Sequence, residues 1–221
     1  LEGLEALQLE TLIDFRSEAE KEEEPNRLPP AQTLTVVEIP TLDGGDNAVA
    51  QDIMRRIDEG DFDDFDPDAV MLEANRAFAT VFTPNFREFI ETVQEADGDP
   101  VLWHCSAGKD RTGFAAAFLL RLLGVDEQTI MADYMLSKEH SLEARKTQLM
   151  LLRLFKGGEA ADKLAIMMGV EEAWLAAAFE AIDAEWGSFD VYLRDGLGLT
   201  DAEIEELRAD LLTNHATGTS S

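Results

Sequence analysis

At 221 residues and 24.5 kDa the chain is long enough for one sizeable core, and a hydrophobic content of 45% is ordinary for a globular protein. Its 46 acids against 18 bases give a formal charge of −28, which disfavours nucleic acid and anionic membrane surfaces as generic partners and reads as a solvated acidic surface. No apolar run approaches the ~20 residues of a membrane span, and a single cysteine forms no internal disulfide.

Residues 1–8 show a short amphipathic helical pattern, and 9–15 read as a strand. Residues 18–24 hold five Glu and one Lys, closed by Pro25, Pro29 and Pro30, and read as a surface connection. The alternation over 33–39 predicts a second strand stopped by Pro40. Asp43, Gly44, Gly45 and Asp46 then form an acidic loop. Residues 48–57 predict a helix, and 60–67 a loop too acidic to bury. Two helices, 69–81 and 85–96, flank Pro84.

The segment 101–124 is the most informative. Val101 to Trp103 is a short apolar run that reads as a buried strand, with Gly98 and Pro100 behind it. The apolar run over 112–123 reads as a buried helix ending at Gly124, a C-terminal cap. Between them, five residues separate Cys105 from Arg111. A loop of that length, running from a strand end into a helix start, can curl its N–H groups around one tetrahedral anion, helped by the helix dipole. Gly108 permits backbone angles that a side chain would resist, and Arg111 can fork two N–H groups onto two phosphate oxygens. A thiolate at the base of such a ring of donors is stabilised relative to the thiol, so Cys105 is the expected nucleophile for in-line attack on phosphorus. The amides of Ser106, Ala107, Gly108, Lys109, Asp110 and Arg111 would bind the phosphoryl oxygens. His104 either helps hold the loop or is a satisfied core histidine, and Thr112 supports the loop from the helix side. Lys109 is expected to add a second cation at the rim, or else to pair with a surface acid.

After Gly124, Asp126 can cap a helix to about Leu136. Residues 142–155 are long and apolar on one side, ending at Gly157 and Gly158, and 164–168 add a further apolar run. The last third is helical, over 171–186, 189–193 and 202–212, with Thr200 and Glu203 forming a capping box. Residues 215–221 are a polar tail. No repeat or linker marks a domain boundary, so a single domain over 1–213 with a tail at 214–221 is expected.

His-Cys-Ser-Ala-Gly-Lys-Asp-Arg-Thr-Gly at 104–113 resembles the signature of cysteine-dependent phosphatases, the protein tyrosine and dual-specificity superfamily. Its Ala-Gly-Lys-Asp-Arg form is similar to a bacterial tyrosine-phosphatase-like branch with dual protein and phosphoinositide activity. Leu-Ile-Asp-Phe-Arg-Ser at 12–17 and Ala-Ile-Asp-Ala-Glu-Trp-Gly-Ser-Phe-Asp-Val-Tyr-Leu at 181–193 match the same branch, so the resemblance runs to about Leu212. Members usually carry a Phe-Arg-Asp-containing segment before the first matching strand. This chain opens later and without Met, so a truncated or processed product is expected.

The expected fold is α/β: a small central sheet, mainly parallel and cysteine-phosphatase-like, flanked by helices, with a helix-rich C-terminal third. The expected function is phosphomonoester hydrolysis through a cysteinyl-phosphate, with phosphotyrosine protein or a small phosphoester as substrate. The resemblance leaves phosphoinositides open as substrates. It also implies supporting roles for Asp14 and Arg16 beside the loop and helices covering the site. It offers two carboxyls as general acid, Asp110 first and Asp43, beyond the second strand, next. No cofactor is called for, and no cluster has metal-ligand spacing. An inactive phosphate-binding module and, more weakly, a sulfur transferase are the competing readings. A cytoplasmic location is expected, with secretion left open.

Overall fold

The computed structural model describes residues 6–28, 34–41, 52, 55–56 and 58–212. The helix expected over 1–8 lies mostly outside these residues. Pro29, Pro30, the Asp43 to Asp46 loop, most of the helix expected over 48–57 and the tail over 215–221 also lie outside them.

Three parallel strands form the described sheet. The first, β1 (Thr11–Asp14), is central, and β2 (Thr35–Glu38) and β3 (Val101–His104) flank it. Asp14 is in register with Glu38 on one side and His104 on the other, so all three C-terminal ends meet on one edge. The ladder runs one step beyond the strands, with the Phe15 N–H donating to the His104 carbonyl at 3.0 Å and the Ile39 N–H to the Asp14 carbonyl at 2.9 Å. Both neighbours of β1 take up its backbone groups, so its apolar side chains go fully inside: Leu12, Ile13 and then Phe15 are buried. β2 is one of the two edge strands of the described sheet and is mostly exposed. Its last residue, Glu38, pairs with Lys21 at 2.8 Å, a charged finish that suits an edge.

Residues 18–24 are more than a surface connection: Glu18–Glu23 form a helix, α1. Ser17 caps it, and Glu20 returns a carboxylate oxygen to the Ser17 N–H at 2.9 Å. This reciprocal cap satisfies donors that so short and acidic a helix could not otherwise satisfy. The segment 60–67 is a loop, as expected, but it is not wholly solvated. Phe62 and Phe65 turn inward and meet edge to face, ring centroids 5.8 Å apart, while the acids between them stay outside.

Helices α2 (Pro67–Thr80) and α3 (Thr83–Glu95) precede β3, and α4 (Asp110–Leu122) follows it. Phe86 of α3 and Phe114 of α4 meet at 4.7 Å, the tightest of a run of aromatic contacts that also includes Phe15, Phe78, Phe118 and Phe179. Burying each ring contributes ~1.5–3 kcal/mol, so this cluster fixes α4 against the sheet.

Asp126 caps the next helix, its side chain accepting the Thr129 N–H at 3.0 Å. The sequence pattern suggests two helices here. The structure has one, α5 (Glu127–Lys156), continuous for 30 residues. Lys, Glu, His and Ser at 138–141 interrupt the apolar pattern but are compatible with helix, and the Ser141 hydroxyl donates to the Met168 carbonyl at 2.6 Å. Helix α5 crosses α4 closely, because a side chain at Gly113 would meet the Tyr134 ring at 3.0 Å.

Helix α6 (Gly158–Met168) returns along α5, and α7 (Glu172–Trp186) packs beneath α2. A single turn, α8 (Phe189–Val191), runs into a wide turn at Tyr192–Gly196. The last helix is α9 (Asp201–Leu211), with the expected capping box between Thr200 and Glu203.

Candidate active site

The chain leaves β3 at His104 and enters α4 at Asp110, and the intervening loop lies at the C-terminal edge of the sheet. Cys105 is buried, 7% exposed, and its Sγ accepts the Gly108 N–H at 3.3 Å. Gly108 reaches that geometry at φ +68°, the left-handed region in which a Cβ is strained. Among the described residues, the N–H groups of Ser106, Ala107, Lys109, Asp110 and Arg111 have no backbone acceptor. They line the entry to α4, where the helix dipole favours negative charge.

Arg111 is 7% exposed, and three oxygens hold it. Nη1 donates to the Phe15 carbonyl at 3.1 Å and to Glu20 Oε2 at 2.9 Å, and Nη2 donates to Glu20 Oε1 at 2.6 Å. Ser106 Oγ donates to Glu20 Oε1 as well. Burial alone would raise the Glu20 carboxyl, but the hydrogen bonds from Arg111, Ser106 and Ser17 outweigh it and bring its pKa down to about 2. The sequence reading missed Glu20, although a signal was available: Ser17 with Glu20 three residues on is the capping-box pattern.

Beneath the loop, Asp14 is fully buried and Arg16 is 5% exposed. Arg16 clasps Asp14 in a forked pair, Nε to Oδ1 at 2.9 Å and Nη2 to Oδ2 at 2.7 Å. It also ties down the segment after α1, through the Glu24 carbonyl at 2.6 Å and Asn26 Oδ1 at 2.7 Å. Burial pushes the Asp14 carboxyl up. Its bonds to Arg16 and Asn26 pull harder, and its pKa falls to about 2. His104 Nε2 lies 3.5 Å from Asp14 Oδ2, and its Nδ1 lies 3.2 Å from the Cys105 carbonyl. The ring therefore bridges the buried pair and the thiol's own backbone.

Lys109 and Asp110 differ from the expectation of a cation at the rim. Lys109 is only 5% exposed and turns inward. Its Nζ donates to Asp110 Oδ2 at 2.6 Å and lies 5.7 Å from the centre of the Trp174 ring. The aromatic face and the carboxylate together compensate a cation that would be costly to bury alone. Asp110 Oδ1 is buried and has no partner among the described residues. Burial pushes the Asp110 carboxyl above its ordinary range, against the pull of Lys109. Thr112 Oγ1 is likewise buried without a partner, and its carbonyl accepts the Trp103 indole N–H at 3.3 Å. Asp43, the other candidate acid, lies outside the described residues.

The structure thus brings Cys105, Arg111, Asp110, His104, Asp14 and Arg16 to one edge of the sheet and adds Glu20. The arrangement can hold a tetrahedral oxyanion over the Cys105 sulfur, and Asp110, a carboxyl of raised pKa, begins the helix that follows the loop. Among the described residues, no group of three or more His, Cys, Asp or Glu could hold a metal ion.

Comparison with known proteins agrees with the geometry. Residues 1–213 match the model of a family described as the tyrosine phosphatase family. A Cupriavidus necator protein provisionally named a tyrosine-protein phosphatase is 37% identical over 213 residues, which are 96% of this chain and 73% of that one. The triple specificity protein phosphatase PtpB of Mycobacterium tuberculosis is 30% identical over 237 residues, covering 95% of this chain and 84% of PtpB. A tyrosine-protein phosphatase of Nostoc commune is 30% identical over 132 residues, covering 58% and 44% of the two chains.

Proposed function

The chain belongs to the tyrosine phosphatase family, and from that premise we propose that it hydrolyses phosphomonoesters in two steps through Cys105. It is an enzyme of tyrosine or dual-specificity type, and residues 1–213 act as a single domain. In the first step the Cys105 sulfur attacks phosphorus, the bond from phosphorus to the ester oxygen breaks, and that oxygen takes a proton from a carboxylic acid. In the second step water attacks the cysteinyl-phosphate, the same carboxylate takes the water's proton, and inorganic phosphate leaves with the thiolate restored. Arg111 and the loop N–H groups carry the charge on the three equatorial oxygens in both steps.

The single observation that carries this reading is the placement of Cys105 Sγ. It sits inside the loop with the Gly108 N–H on it at 3.3 Å and with Arg111 closing the same loop. Asp110 is the favoured acid, because its burial keeps a proton available at a pH where an ordinary carboxyl has lost it.

Phosphotyrosine is the favoured substrate, on the names of the relatives. Phosphoinositides are the second reading, on the triple specificity printed for PtpB. A reducing, cytoplasmic setting suits a mechanism that needs its one thiol reduced.

Turnover of an aryl phosphate tests the mechanism. Cys105→Ser should abolish turnover, while tungstate still raises the thermal midpoint of the variant. Retained turnover in Cys105→Ser would remove the cysteinyl-phosphate route. Binding without turnover in the parent chain would make this a phosphate-binding module.

A further inference from the structure

The formal charge of −28 hides a local reversal. Residues 144–158 contain Arg145, Lys146, Arg153 and Lys156 and no acid at all. Residues 144–156 of this stretch form the distal half of α5, beyond the point where Ser141 is tied to Met168.

This half of the helix also carries the densest exposed apolar surface among the described residues. Met150 is 64% exposed, Leu151 45%, Leu154 74% and Phe155 74%. At 100° a residue these four fall within an arc of about 140° on one side of the helix. Other exposed apolar side chains, such as Leu7, Val36 and Val81, are scattered singly and need no explanation. Leu152 lies on the other side, against the cluster of Phe62, Phe65, Ala160 and Leu164.

At 100° a residue Lys146 and Arg153 border the arc on one side, about 40° and 60° from Met150, and Lys156 lies on the opposite, inner side. Lys146 is 3.3 Å from Glu143, Arg153 pairs with Asp162, and Lys156 donates to the Asp58 carbonyl at 3.1 Å. The two ion pairs lie at the surface and contribute ~0–1 kcal/mol each, so phosphate groups can replace them. The 58–66 segment meets this half of α5 from the inner side through Phe62 and Phe65, with its acids exposed behind the helix. They stand roughly a helix diameter, ~10 Å, from the outer face, and at physiological salt that is about one screening length.

We propose that the distal half of α5 docks this protein on an anionic lipid surface. Met150, Leu151, Leu154 and Phe155 enter the boundary between headgroups and acyl chains, and Lys146 and Arg153 lie among the lipid phosphates. An apolar stripe with cations along its border, here Lys146 and Arg153 on one side, is the pattern of a helix that lies in a membrane interface. No helix among the described residues is long and apolar enough to cross a membrane, so the contact is peripheral. The proposal does not depend on the reaction at Cys105.

Vesicle flotation of the whole chain tests it. Vesicles with one-third phosphatidylserine should retain at least about tenfold more protein than phosphatidylcholine alone. The pair Leu154→Asp with Phe155→Asp should lose this retention, and the pair Lys146→Glu with Arg153→Glu should lose the preference for phosphatidylserine. Turnover of a soluble aryl phosphate should stay at the parent level in both. Equal binding to the two vesicle types, or full retention by the Leu154→Asp, Phe155→Asp chain, would overturn the proposal. So would a parent dimer in sedimentation that the same pair dissociates, since the stripe would then belong to a second copy.

Discussion

Glu20 holds Arg111 through both carboxylate oxygens, at 2.9 and 2.6 Å, and the same carboxylate caps α1 through the Ser17 N–H at 2.9 Å. One acid therefore fixes the start of a helix and the orientation of the guanidinium that closes the phosphate loop. Glu20→Gln keeps the capping geometry and removes the charge. Turnover of an aryl phosphate should fall about 10–100-fold, the worth of a charge-assisted hydrogen bond. Tungstate affinity should fall with it, because Arg111 loses its orientation. An unchanged tungstate affinity in Glu20→Gln would show that Arg111 needs no such support.

The proton donor is tested through the leaving group. Asp110→Asn should slow an alkyl phosphate about 10²–10⁴-fold and an activated aryl phosphate far less, since that leaving oxygen needs no proton. The parent's alkaline limb with the alkyl phosphate should lie above the ordinary carboxylate range, because burial raises Asp110. That limb should vanish in Asp110→Asn. A uniform loss on both substrates would pass the role to another carboxyl, Asp43 first.

Lys109 is turned inward onto Asp110, so its removal should act through that carboxyl. With Lys109→Ala, singly and multiply charged phosphoesters should lose turnover equally. The alkaline limb should move to higher pH, because the departing cation was holding the Asp110 carboxyl down. A selective loss on multiply charged substrates would instead place Lys109 at the mouth of the site.

Acid sensitivity follows from Asp14 and Glu20, both brought to about 2 in the fold. A carboxyl depressed in the folded state stabilises it above its unfolded pKa, here near 4. That contribution is lost as pH falls through 4 toward 2. Urea midpoints should therefore drop steeply across this window. Asp14→Asn should flatten the drop and cost about 3–5 kcal/mol at neutral pH, because Arg16 would be left buried without its partner.

The elements that the sequence exposed were those specified by nearby residues. β3 and α4 follow from one apolar run after another, and the loop between them from Cys105, Gly108 and Arg111. The parallel pairing followed from strands separated by helices. Glu20 stayed hidden because its partner, Arg111, is far along the chain, and within 18–24 it is one of five identical acids. The inward turn of Lys109 depends on Trp174 and could not be read locally. The unbroken α5 escaped for a similar reason: the contact that secures its polar middle, from Ser141 to Met168, is made by another helix.

The place of β1 in the sheet also governs how the protein can be made. β1 is the central strand, yet its partner β3 ends at His104, 90 positions after Asp14. On a ribosome adding ~5–20 residues a second, β1 emerges roughly 5–20 seconds before that partner exists. During that interval Ile13 and Phe15, fully enclosed in the finished fold, have no sheet to enter, and β2 alone offers only one side. Closure of the sheet and assembly of the Cys105 loop are thus a single late event with high contact order, slower than the formation of any helix around it. A nascent chain halted before residue 104 would present an open strand edge, and at that stage this protein is most in need of a chaperone.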